Sequence, residues 1–141
     1  MKNIVYFDLE TRRSAAQVGG WHEASKMGMS VGVTYSTKDN AYHIYTEDQV
    51  MQLIEELQNA DMVVGYNHVG FDYQVLQAFA FWTIADNTRN LDICSYLSSK
   101  LGHRLKLDSV ASVTLGHSKT AEGTDALKWW AEYEQTGDPQ K

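Results

Sequence analysis

Two acids, Asp8 and Glu10, stand two residues apart inside an apolar run, Ile-Val-Tyr-Phe-Asp-Leu-Glu-Thr, at 4–11. Side chains alternate along a strand, so the two project from one face. The run is rich in strand formers and large apolar residues, as in a strand covered on both faces. Neighbouring carboxylates on such a strand repel each other and lose hydration. A divalent cation is the counter-charge that would compensate them; the alternative is a strand end where both acids reach water. A third acid, Asp72, closes the segment Gly65-Tyr66-Asn67-His68-Val69-Gly70-Phe71-Asp72. Read as a first-turn helix residue, it shares a stripe with Val75 and Leu76 and so faces the sheet. A helix N-terminus beside the carboxyl end of a central strand is where α/β proteins place ligands. Asp72 can therefore converge on Asp8 and Glu10. Taken singly, it reads as an acid satisfying the helix dipole.

The elements that must position these acids are legible from periodicity. Alternation predicts a strand over 29–35, with Met29, Val31, Val33 and Tyr35 against Ser30, Gly32 and Thr34. Lys38-Asp39-Asn40 is a turn signal, and 41–45 reads as its hairpin partner. Thr46 and Gln49 have capping-box spacing, and Val50, Leu53, Ile54 and Leu57 form the apolar stripe of the following helix. The short apolar run 62–65 predicts a buried fourth strand. A loop over 66–70 and a helix over 71–80 follow. Leu91 to Leu101 reads as a short strand or turn and then a helix bearing Ile93, Leu97 and Leu101. Two further helices are expected, one carrying Leu107, Val110, Ala111 and Leu115, the other over 125–135. Residues 12–22 read as loop. The order of elements is that of an α/β fold with a mixed sheet, the hairpin supplying the antiparallel strand.

The 141 residues suit a single domain with a substantial core. The formal charge of −6 argues against a general DNA-coating protein. It does not exclude a nuclease, because site carboxylates count as negative while the ions that neutralise them are not counted. One cysteine, Cys94, rules out an internal disulfide and fits a reducing cytoplasm. No leader is expected at the N-terminus, and no stretch approaches the ~20 apolar residues of a membrane span.

The run Phe7-Asp8-Leu9-Glu10-Thr11, with Asn67 and Phe71-Asp72-Tyr73-Gln74-Val75-Leu76 some sixty residues later, resembles the DEDD (DnaQ-like) superfamily of 3′-5′ exonucleases. Leu91-Asp92-Ile93 and Lys106-Leu107-Asp108-Ser109-Val110-Ala111, followed by Leu115-Gly116, resemble the segment before that superfamily's third motif. There the likeness is to family-B DNA polymerase exonuclease domains and the YprB-like group. The resemblance covers nearly the whole chain. It implies a ribonuclease H-like sheet flanked by helices and a two-metal mechanism with Mg²⁺ or Mn²⁺. Asp8 would bridge the two ions, Glu10 would hold the ion that activates water, and Asp72 the ion on the leaving-group side. Asn67 would lie near the terminal nucleotide, with Thr11, Phe71 and Arg12 as further substrate contacts. The substrate would be a single-stranded or frayed 3′ end of DNA or RNA, and the implied partner is a helicase or polymerase module in a larger protein.

The superfamily also uses a fourth acid, as Tyr-x-x-x-Asp or His-x-x-x-x-Asp. After Asp72, where a third motif would fall, no Tyr-x-x-x-Asp occurs; His103 and Asp108 have the second spacing, within the stretch that precedes the third motif in relatives. The expectation is a domain over 1–141 that stops short of its last helix. The alternative is an inactive domain that lacks the fourth carboxylate and binds nucleic acid or a protein partner. A ribonuclease H-like endonuclease is a third option. Lys100, His103, Arg104 and Lys106 form a local basic cluster that would contact phosphates or simply be solvated. Arg12 and Arg13 have the same two options. Trp21, Trp82, Trp129 and Trp130 would stack on bases or pack in the core or at its edge. No zinc spacing, Gly-rich phosphate loop or nucleophilic triad is present.

Overall fold

The computed structural model describes residues 2–107. They build a five-stranded sheet in the order β3-β2-β1-β4-β5. Strand β1 (Ile4–Thr11) lies in the middle. On one side it pairs antiparallel with β2 (Met29–Ser36), which pairs antiparallel with β3 (Ala41–Tyr45). On the other side it runs parallel to β4 (Met62–Gly65), which runs parallel to β5 (Asn90–Asp92). The mixed sheet and its antiparallel hairpin are those expected from the order of elements.

Between β1 and β2 lie α1 (Ala15–Val18) and a 3₁₀ segment (Trp21–Lys26), in place of the loop expected over 12–22. Ser14 caps α1 in a capping box with Gln17, and Gly19 ends it in the left-handed conformation. After β3, the Gln49 side chain accepts the Thr46 N–H at 3.1 Å, and α2 (Val50–Asn59) follows a short 3₁₀ turn. Val50, Leu53, Ile54 and Leu57 are all buried, as their spacing requires. They pack with Val5, Phe7 and Leu9 of β1 and with Val75 and Leu76. Each fully buried aliphatic side chain contributes about 1.5–3 kcal/mol. Helix α3 (Tyr73–Leu76) is fixed to the central strand by Tyr73, whose ring stacks on Phe7 at 6.2 Å. The predicted strand-then-helix over 91–101 is present as β5 and α4 (Ile93–Leu101), although Cys94, not Leu101, is the buried residue. The helices expected around 107–115 and 125–135, and Asp108 with them, lie outside the described residues.

Two expectations about the sheet need correction. Among the described residues, strand β1 is covered on one face only. Val5, Phe7, Leu9 and Thr11 are buried, whereas Tyr6 is 47 % exposed and Asp8 is exposed. The apolar run is thus a one-sided strand whose outward residues happen to include a tyrosine. On β2, the register passes from Glu10↔Val31 to Thr11↔Met29, so Ser30 is an extra residue. This bulge moves Met29 to the buried face and leaves Val31, Val33 and Tyr35 on the other. Gly32, Thr34 and Ser36 face inward instead. A Cβ on Gly32 would stand 2.7 Å from a Leu53 methyl carbon. Thr34 donates to Glu56 at 2.8 Å, and Ser36 to Asn3 at 2.8 Å, so the inward hydroxyls are satisfied.

Candidate active site

The site begins where β1 outruns its parallel neighbour. The last β1–β4 pair is Tyr6↔Val64, and β1 continues to Thr11. Past that pair, the Leu9 N–H is taken by the Asp72 carboxyl. Asp8 and Glu10 flank Leu9 and point from the outward face; Asp8 is exposed and Glu10 half-buried. The buried acid is therefore Asp72, at 4 % exposure, and not the strand pair. Burial pushes its pKa well above the usual carboxylate range, and the nearby charges of Asp8 and then Glu10 push it further, against the opposing effect of the Leu9 N–H. Asp72 Oδ2 is buried with no hydrogen-bond partner. The three acids singled out from sequence are thus brought into one electrostatic group.

Asp72 does not sit in the first turn of an α-helix. It ends a π turn, His68–Asp72, that begins inside the predicted loop, and α3 follows it. Asn67 precedes the turn in the left-handed conformation, φ 58° and ψ 26°. Such turns recur at functional sites because one extra residue re-aims a side chain. Gly65 makes room for the turn: a Cβ there would lie 2.5 Å from the His68 ring. His68 is fully buried, and its Nε2 lies 3.1 Å from Asn90 Oδ1, which also accepts the Tyr73 hydroxyl. A carbonyl oxygen can only accept, so Nε2 carries the proton in the neutral ring. Burial lowers the His68 pKa. Asp92 Oδ1 accepts the Asn67 N–H at 2.7 Å, and Oδ2 the Val69 N–H at 3.3 Å. In the sequence, Asp92 stands out only as part of Leu91-Asp92-Ile93, and nothing there assigns a role to His68 or Asn90. A histidine bracketed by glycines, Gly65 and Gly70, is the signal the sequence offers.

The other candidate contacts surround this core of the site. Thr11 is buried, and its hydroxyl donates to the Arg13 carbonyl at 2.9 Å. Arg12 pairs with Glu47 at 2.9 Å, and Glu47 also accepts the Met29 N–H at 3.0 Å. Phe71 is half-buried and meets Trp21 edge-on at 5.5 Å; Trp21 itself is 70 % exposed. Lys100, His103, Arg104 and Lys106 are all exposed, and the Lys100 ammonium lies over the Tyr96 ring.

A family described as the RNase_H superfamily matches residues 5–141. The chain belongs to the RNase_H superfamily. Among solved structures, this superfamily domain is similar to the family B DNA polymerase from the hyperthermophilic archaeon Pyrobaculum calidifontis. The match has TM-score 0.66 and 14 % identity, covering 99 % of this chain and 21 % of that one. It is also similar to an ExoI/SSB-Ct complex, with TM-score 0.51 and 11 % identity over 70 % of this chain and 30 % of that one. These likenesses give the fold, and the expected ribonuclease H-like sheet is the one observed. The chain spans about a fifth of the polymerase, at 21 %, and under a third of the exonuclease chain, at 30 %. No curated protein sequence matches it. No helix among the described residues of this RNase_H superfamily domain is long and apolar enough to cross a membrane.

The donor chemistry suits a hard cation: all-oxygen ligands, one of them a buried oxygen without a partner. Among the described residues, however, no group of three or more His, Cys, Asp or Glu side chains is arranged to hold an ion.

Proposed function

We propose that residues 1–141 form a single domain of a metal-dependent 3′-5′ exonuclease that acts on single-stranded or frayed nucleic-acid ends. The observation that carries this reading is the buried, unpartnered Oδ2 of Asp72 in the field of Asp8 and Glu10. A carboxylate so placed is costly on its own and inexpensive beside a cation. Asp8, Glu10 and Asp72 would hold Mg²⁺ or Mn²⁺. When bound, paired ions of this kind supply charge stabilisation to the attacking and leaving oxygens of an in-line phosphoryl displacement. The protein's own part is positional. The Leu9 N–H holds the Asp72 carboxyl against β1, and the turn from Asn67 sets its approach. Phe71 with the exposed Trp21, and Thr11, Arg12 and Asn67 at the rim, are the proposed substrate contacts. The exposed basic residues Lys100, Arg104 and Lys106 supply positive charge in an acidic protein, where strand binding should weaken as salt rises. A neighbouring helicase or polymerase module is the proposed partner, and the single cysteine fits a cytoplasmic setting.

A 3′-labelled and a 5′-labelled single strand, incubated with Mn²⁺ and the parent or Asp8→Ala chain, test the activity. Stepwise loss from the 3′ end, abolished by Asp8→Ala, is expected. The lack of a ready three-ligand group among the described residues favours a second reading, a non-catalytic nucleic-acid-binding domain. Strand binding without Mn²⁺-dependent shortening would select it. Cutting of a circular single strand would indicate an endonuclease.

A further inference from the structure

We propose that Asp92 is a positioning residue for this site: its carboxylate clamps the turn between β4 and α3 and so sets where Asp72 presents its own carboxyl. The proposal rests on the metal-site reading above. Asp92 ends β5, directly opposite Gly65 at the end of β4. Its side chain is 7 % exposed. One oxygen accepts the Asn67 N–H at 2.7 Å and the Ser95 N–H at 3.2 Å; the other accepts the Val69 N–H at 3.3 Å. A single buried carboxylate thus ties together a strand end, a helix start and the turn.

The turn needs such a tie. Asn67 holds a left-handed backbone, which asparagine tolerates better than other non-glycine residues, and the bond from its N–H to Asp92 fixes it there. From Asn67 the π turn runs directly to Asp72, with the Phe71 N–H on the Asn67 carbonyl at 3.0 Å. Displacement of Asn67 is therefore passed along the turn to Asp72. The His68 ring fills the space under the turn, and its buried Nδ1 lies 3.9 Å from Asp92 Oδ2. Asp92 also serves as the N-cap of α4 through Ser95. A cap alone asks for one oxygen, whereas the two additional bonds go to the turn.

The two roles separate by substitution. Asp92→Ser keeps an N-cap hydroxyl but cannot span to both Asn67 and Val69. Mn²⁺ binding to the full chain, read as free Mn²⁺ by electron paramagnetic resonance, is expected to weaken about tenfold or more in Asp92→Ser. Helical circular dichroism should stay at the parent level. Leu57→Ala, a core change in α2, should lower the melting temperature and keep the parent's Mn²⁺ affinity. Equal loss of affinity in Leu57→Ala and Asp92→Ser would mean general loosening and overturn the proposal. Loss of binding in Asp8→Ala with parent affinity in Asp92→Ser would overturn it alone, leaving the metal site intact. A parent that binds no Mn²⁺, or an Asp8→Ala chain that binds like the parent, would remove the metal site and this proposal together. Should Asp92→Ser not fold, Asp92→Asn takes its place. Its amide oxygen keeps Asn67 and Ser95 and gives up Val69, so a several-fold weakening is expected and parent affinity is the refuting result.

Discussion

Asp72→Asn should make the protein more stable in chelator and less responsive to metal. Asp72 is buried, one of its oxygens lacks a partner, and Asp8 and Glu10 repel its charge. A buried polar atom left unsatisfied costs about 1–3 kcal/mol, and more when charged. Asparagine keeps an oxygen for the Leu9 N–H and presents an N–H₂ group toward the two remaining carboxylates. Relief of about 1–3 kcal/mol corresponds to a rise of about 3–10 °C in melting temperature for a chain of this size. The pH dependence has a fixed sign. The folded pKa of Asp72 is raised, so its stability contribution is fully present below the unfolded value of about 3.9 and is lost as pH rises through the folded value. The advantage of Asp72→Asn should therefore be largest at neutral pH and shrink as pH falls toward about 4. Divalent metal should reverse the order: at about 100 times its Kd a ligand adds about 2.7 kcal/mol to the parent, and the variant should gain much less. Calorimetric melts of both proteins with chelator and with Mn²⁺, at pH 7 and pH 4, check all three statements. A variant that melts below the parent in chelator at pH 7 would refute the claim that Asp72 is an uncompensated buried charge.

Gly65→Ala should destabilise by about 1–3 kcal/mol through overpacking, because the new Cβ meets the root of the His68 ring at 2.5–2.9 Å. Denaturant unfolding reads the loss directly. Gly32→Ala should cost less, since its close neighbours at 2.7 and 3.0 Å are the mobile ends of Leu53 and Met29; the same melts rank the two. Glu56→Ala should cost about 1–3 kcal/mol, because it strands the fully buried Thr34 hydroxyl and removes the partner of the Tyr45 hydroxyl. A Tyr45→Phe, Glu56→Ala double-mutant cycle gives the coupling between those two groups.

The sequence by itself determined the elements and the acids. Apolar spacing in α2, the capping box at Thr46 and Gln49, and the alternation of the hairpin are local properties, and local physics is sufficient to read them. The family motifs picked out Asp8, Glu10 and Asp72, which the fold brings into one electrostatic group. Tertiary structure decided which of those acids is buried. The apolar character of β1 suggested Asp8 and Glu10, but Asp8 is exposed and Glu10 half-buried, while Asp72 is carried inward by a π turn that no local periodicity announces. It also decided which face of β2 is inside. One extra residue at the bulge shifts a period-two pattern by one step, so Gly32, Thr34 and Ser36 face the core against the hydropathy of their neighbours. The role of Asp92 was invisible for a related reason. Its partners are backbone N–H groups of Asn67 and Val69, more than twenty residues away, and a backbone donor leaves no mark in the identity of the residue that carries it.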